Sequence, residues 1–186
     1  MKMIAAVLAL SCLFGFTLGQ GPARAPTASA PGGAAGGGSG TGGSGIPTSL
    51  SEADVLTFAY NLECLEGHFY SCAAFGTPLA TSITGNGPPP STCKKASLSS
   101  AVGTYAAELA REETAHVNFL FSALTQAGGS PRCPQVNIDS AFEAAAEAAF
   151  MAPGTPLNPT FDPYANDLFF LHGAFIFEDL GVSAYL

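Results

Sequence analysis

Apolar side chains recur at intervals of three and four from Ser51 onward, the spacing of a helix with one buried face. On a wheel of about 100° per residue, Val55, Ala59, Leu62, Phe69, Tyr70 and Ala73 share an arc, with Asp54, Thr57, Asn61 and His68 opposite. The pattern predicts a first helix from Ser51 to about Ala74. Ser51 is a favoured N-cap residue, and Asp54, three residues on, stands in for the glutamate of a capping box. Gly76 and Pro78 end the element, and Gly85-Asn86-Gly87 followed by Pro88-Pro89-Pro90 can only be loop. A second helix is predicted from about Leu98 to Ala127, stopping at Gly128-Gly129. Its apolar arc holds Val102, Tyr105, Leu109, Val117, Leu120 and Leu124, while Arg111, Thr114 and Asn118 face the other way. A shorter Ala-rich helix from about Asp139 to Phe150 follows, and a last one begins after Asp162-Pro163 and runs to Leu186. The expected class is all-α.

The chain ahead of Ser51 has a different character. Lys2, an apolar run from Met3 to about Phe16 and then small residues read as a secretory signal peptide over residues 1–19. The run is shorter than the roughly 20 residues that a spanning helix needs, so no membrane span is expected after cleavage. Residues 20–50 are Gly, Ala, Pro, Ser and Thr with Arg24 as the one charge, too little apolar surface to fold, and are expected to be a flexible tether. That leaves 51–186 as a single helical domain. All 14 acidic residues of the chain lie in it, against Lys94, Lys95, Arg111 and Arg132. Such an acidic surface argues against nucleic acid and anionic membranes as partners.

Cys12 leaves with the signal peptide, and an even number of cysteines in a secreted domain suggests disulfides. Cys64 and Cys72 cannot pair within one helix, because eight residues at 1.5 Å rise set them about 12 Å apart. If the second helix folds back on the first, Cys93 in the connecting loop lies near Cys72. That favours Cys72–Cys93 and leaves Cys64 with Cys133, the alternative being four reduced buried thiols. Zinc is not expected, since no Cys-x-x-Cys occurs.

Several glutamates sit where apolar residues belong. Glu63 and Glu66 fall within the apolar arc of the first helix, and Glu113 and His116 within that of the second. Glu63 and Tyr70 in FAYNLECLEGHFY are echoed by Glu178 and Tyr185 in GAFIFEDLGVSAY, a weak internal repeat that also pairs Ala59 with Ala174 and Leu65 with Leu180. Glu113-Thr114-Ala115-His116 is a Glu-x-x-His unit whose two ligand-type side chains share a helical face. A glutamate on one helix with Glu-x-x-His on the next is half of a di-iron carboxylate site in a four-helix bundle. A buried ionised carboxylate without a partner costs several kcal/mol, and no Lys or Arg is expected on that face. Either a metal neutralises these groups, or they are protonated and hydrogen-bonded to one another and to Tyr70 and Tyr185. Glu108, Glu112, Glu143 and Glu147 read as solvated helix faces, and His68 and His172 as satisfied or surface histidines rather than ligands.

NLECLEGHFY, GPPP, KKASL, EETAH, FDPYANDLFFL and FIFEDLGVSAY together resemble the desiccation-related proteins of plants and algae, a ferritin-like group. The resemblance covers Ser51 to Leu186 and implies a ferritin-like four-helix bundle, secreted or apoplastic and associated with drying or stress. It implies iron or manganese as cofactor, with Glu63 as the ligand of the first helix, Glu113 and His116 as the Glu-x-x-His, and Glu178 as the ligand of the last helix. Tyr70, Tyr185 and Glu66 would then support those ligands from behind.

The family pattern continues into a fourth core helix with a second Glu-x-x-His, and this sequence contains no second copy of the unit. The bundle is therefore expected to be truncated before its fourth core helix. One wall would be open, with Phe58, Leu109, Phe175 or their neighbours facing water until a second copy or another partner covers them. Three functions are consistent with this reading. The leading one is a secreted stress protein with a structural or protective role and residual iron binding. The others are a di-iron oxidase or ferroxidase that needs the absent helix, and an extracellular matrix or surface module carried on the Gly-rich tether.

Overall fold

Ser51 opens the first helix through the reciprocal bonds of a capping box. Its hydroxyl accepts from the Asp54 N–H at 3.2 Å, and the Asp54 carboxylate accepts from the Ser51 N–H at 2.9 Å. Helix α1, Glu52–Phe75, ends where Gly76 adopts φ 71° and donates to the Cys72 carbonyl at 2.8 Å. Ser99 caps α2, Ser100–Gln126, and Gly128 with φ 85° follows its end. Asn137 Oδ1 accepts from Ala141 N at the head of α3, Ser140–Phe150, and Asn166 Oδ1 accepts from Phe169 N at the head of α4, Asp167–Tyr185. This computed structural model describes residues 51–150 and 160–185, apart from the side chains of 147–150 and 185. The predicted leader 1–19 and tether 20–50 lie outside the described residues. Among those described, all regular structure is helical.

Helices α1 and α2 run antiparallel. Tyr60 lies opposite Phe121, Glu63 opposite His116, and Ala74 beside Ala107. The buried positions of α2 are Ala106, Ala110, Glu113, Val117, Leu120 and Leu124, alternating steps of four and three as for a seam packed along one partner. Tyr105, expected in that seam, is exposed, and Ala106 is buried in its place. The small Ala106 and Ala110 let the two helices approach closely.

Helix α1 is buried around its circumference from Ala59 to Ala74, apart from the half-buried Asn61. Of its sequence-predicted polar side, Asp54 and Thr57 face water, but His68 is 1% exposed, covered by the loop that follows α1. Two apolar clusters surround the helix. In one, Phe69 is central, with ring centroids 4.9 Å from Phe177, 5.6 Å from Phe170 and 5.9 Å from Phe142. Gly173 brings α4 onto this cluster, since a Cβ there would lie 3.1 Å from Phe69. The other gathers Tyr60, Leu79, Val117, Leu120 and Leu124.

Two disulfides, Cys72–Cys93 and Cys64–Cys133, tie the long loops to α1, with Cα separations of 5.0 and 5.7 Å. Both pairs are those favoured by the sequence. Chain entropy for closing loops of 21 and 69 residues gives about 3 and about 4 kcal/mol of stabilisation. The loop near Cys133 also explains Gly85, which has φ 60° and on which a Cβ would overlap the Pro131 carbonyl.

Candidate metal centre

Antiparallel packing sets Glu63 of α1 against the Glu-x-x-His face of α2. His116 Nδ1 lies 3.0 Å from Glu113 Oε2 and 3.3 Å from Glu63 Oε2. One potential ligand atom from each of Glu63, Glu113 and His116 falls within 4.8 Å of the others. The two carboxylates are buried, but the His116 side chain is 57% exposed. This corrects the wheel, which set His116 in the interior. The imidazole stands at the edge of the α1–α2 seam and closes the cluster from its solvent side. A groove of about 360 Å³ lined by Glu63, His116, Phe119 and Leu120 opens onto it.

Glu178 is exposed on α4 and does not join the three convergent ligands. It accepts a 2.7 Å hydrogen bond from the Tyr70 hydroxyl, which burial and the Glu178 carboxylate together keep protonated. Tyr70 thus links α1 to α4 beside the cluster. Tyr185 ends α4, and its side chain lies outside the described residues.

Glu66 is 6% exposed, and burial, followed by the charges of Glu63 and Glu178, pushes its carboxyl up to about 9. Burial likewise raises Glu113, with further contributions from its hydrogen bond to Glu63 and from the charges of Glu63, Glu66 and Glu178. Without a cation, Glu66 and Glu113 are therefore neutral acids at pH 7. The Glu66 carboxyl rests against α4 at Gly181, where a Cβ would lie 3.1 Å from Oε1. In the internal repeat Gly181 is the counterpart of Glu66, so the position that carries the acid in one copy leaves room for it in the other. The residue spacing carried that signal, although its meaning depends on the two copies touching. Phe119, at the mouth of the groove, had no marker in the sequence.

His68 is not brought to the cluster. Its Nδ1 accepts from the Leu79 N–H at 3.3 Å, and burial lowers the ring to about 4, so it is neutral.

The donor set fits a metal ion by its chemistry. Two carboxylates and an imidazole converge, and Glu113 is held protonated first by burial and then by the neighbouring Glu63, Glu66 and Glu178 carboxylates, a gathering of acids that a cation would relieve. Glu66, Glu178 and Tyr70 border the set.

Comparison with known proteins agrees with this architecture. A family profile described as "Ferritin-like domain" matches residues 51–186. A desiccation-related protein, PCC13-62 of Craterostigma plantagineum, is 34% identical over 140 residues, 73% of this chain and 42% of that protein. The ferritin-like catalase Nec2 of Nesocodon mauritianus is 31% identical over 140 residues, 73% of this chain and 43% of that protein. The chain thus spans less than half the length of these curated relatives. No solved structure matches it. An all-helical fold, a Glu/Glu/His cluster between antiparallel helices and a profile match over the whole helical region place this chain in the ferritin-like domain family.

Proposed function

We propose that this chain is a secreted, stress-associated ferritin-like protein with a structural or protective role, whose helical domain holds one iron or manganese ion at Glu63, Glu113 and His116. The convergence of those three groups within 4.8 Å carries the reading. Carboxylate and imidazole ligands suit Fe(II) and Mn(II). The relationship to a desiccation-related protein supports the stress association, and the leader-like residues 1–19 with two disulfides support secretion. No described helix is long and apolar enough to cross a membrane.

A bound ion would supply one-electron chemistry toward oxygen or peroxide. Glu63, Glu113 and His116 would hold it, Glu113 as its carboxylate after losing its proton; Tyr70 fixes Glu178 alongside, and the Phe119 groove opens to the His116 side. A second reading, a peroxide- or oxygen-handling enzyme, is favoured by the ferritin-like catalase among the relatives. Anaerobic loading of the full chain with Fe(II) or Mn(II), metal analysis after desalting, and oxygen and peroxide consumption on the same samples separate the two. We expect no more than one equivalent, lost in Glu113→Gln and His116→Ala, with no appreciable turnover. Two equivalents with rapid turnover would replace the protective reading with the enzymatic one, and no retained metal would refute the site.

A further inference from the structure

The domain has only four Lys or Arg side chains against fourteen acidic ones, yet three of the four lack a carboxylate partner among the described residues. Lys94 pairs with Asp162 at 2.8 Å, whereas Lys95, Arg111 and Arg132 form no ion pair there. Of these, Lys95 and Arg111 line one groove of about 480 Å³ between the C-terminal end of α1 and the N-terminal half of α2. That size falls within the roughly 300–1,000 Å³ of small-molecule sites.

The rest of the groove is apolar and hydroxylic. Ala73 and Ala107 line it with methyl groups and Gly103 with bare backbone, Ser100 and Thr104 add hydroxyls, and Phe75, 48% exposed, presents an aromatic ring. Several backbone groups at the two helix ends are already occupied. The Cys72 and Ala73 carbonyls accept from the Gly76 and Ala96 N–H groups at 2.8 and 2.9 Å, and Asp167 accepts from the Ser99 N–H at 2.8 Å. The charged and hydroxyl side chains supply the recognition of a ligand. A guanidinium and an ammonium recognise a carboxylate, hydroxyls recognise hydroxyls, and the ring and alanine surface suit the C–H face of a sugar.

We propose that this groove binds an acidic saccharide, a uronate, with its carboxylate held by Lys95 and Arg111 and its ring against Phe75. The groove is distinct from the candidate metal centre: on α1, Ala74 lies eleven residues from Glu63, about 16 Å along the axis, and on α2, Arg111 is exposed while Glu113, two residues on, is buried in the seam.

The experiment is calorimetric titration of the full chain with digalacturonate at low ionic strength, with neutral galactobiose and sulfate as comparisons. Digalacturonate should bind with a submillimolar Kd, galactobiose should not bind, and the double variant K95Q/R111Q should weaken binding at least tenfold. Both substituted side chains are exposed, so helical circular dichroism and metal content should be unchanged in that variant. Absence of binding at millimolar digalacturonate, unchanged binding in the variant, or displacement by equimolar sulfate would overturn the proposal.

Discussion

Replacing Glu66 by glutamine should stabilise the metal-free protein, by an amount that grows with pH. The side chain is 6% exposed, and its carboxyl is pushed up to about 9 from an ordinary value of 4.5, chiefly by burial. An acid whose folded value is raised binds more protons folded than unfolded. Its contribution is therefore most favourable below 4.5 and is lost as pH rises toward 9. At pH 7 the unfolded chain has ionised through 2.5 units at about 1.4 kcal/mol each, so Glu66 destabilises the fold by up to about 3 kcal/mol. Glutamine has the same shape and no such penalty, and it still fits against Gly181. Urea unfolding of the wild type and Glu66→Gln, with chelator present and disulfides intact, should show little difference at pH 4.5. At pH 7 the variant should be more stable by up to about 3 kcal/mol, roughly 10 °C in Tm. A difference that does not change with pH, or a variant less stable at pH 7, would refute the argument that Glu66 is held neutral by burial beside like charges.

His68 should act with the opposite sign in acid. Its folded value of about 4 lies below the ordinary 6.5, so stability is lost as pH falls from 6.5 toward 4, by up to about 3 kcal/mol. His68→Asn retains an acceptor for the Leu79 N–H without titrating there, and comparison of the two unfolding curves at pH 7 and pH 4.5 should show the difference disappear in the variant. Phe69→Ala should cost about 3–5 kcal/mol, because it empties the centre of the aromatic cluster that joins α1 to α3 and α4. Chemical denaturation measures it, and a loss under 1 kcal/mol would mean that the cluster collapses onto the gap.

Helix ends were legible in the residues because their causes are local. Ser51 with Asp54, Gly76 and Gly128 satisfy backbone groups within one turn, and the first two helices start and stop within about two residues of their predicted limits, whereas the last starts only at Asp167, some residues beyond Asp162-Pro163. The cysteine partners were legible once the second helix was folded back on the first, since loop length leaves Cys93 near Cys72. The inward setting of Glu63 and Glu113 could likewise be read from periodicity, because a carboxylate within an apolar arc is carried into the seam with its neighbours.

The width and contents of the buried surface were settled only in three dimensions. A wheel shows which side of α1 is most apolar but not how many neighbours cover the rest, so His68, opposite the apolar arc and read as satisfied or surface, proves to be buried and hydrogen-bonded. It cannot resolve the edge of a seam, and so Tyr105 and His116 turn outward where the periodicity points inward. Nor does it show where α4 crosses, which leaves Glu178 exposed beside Tyr70 and seats Glu66 against Gly181. The sequence by itself determined the helices, their caps and the residue types that would meet. Tertiary packing decided which of those residues lost their water, because desolvation depends on every neighbouring element at once, whereas caps and periodicity depend on a few consecutive residues.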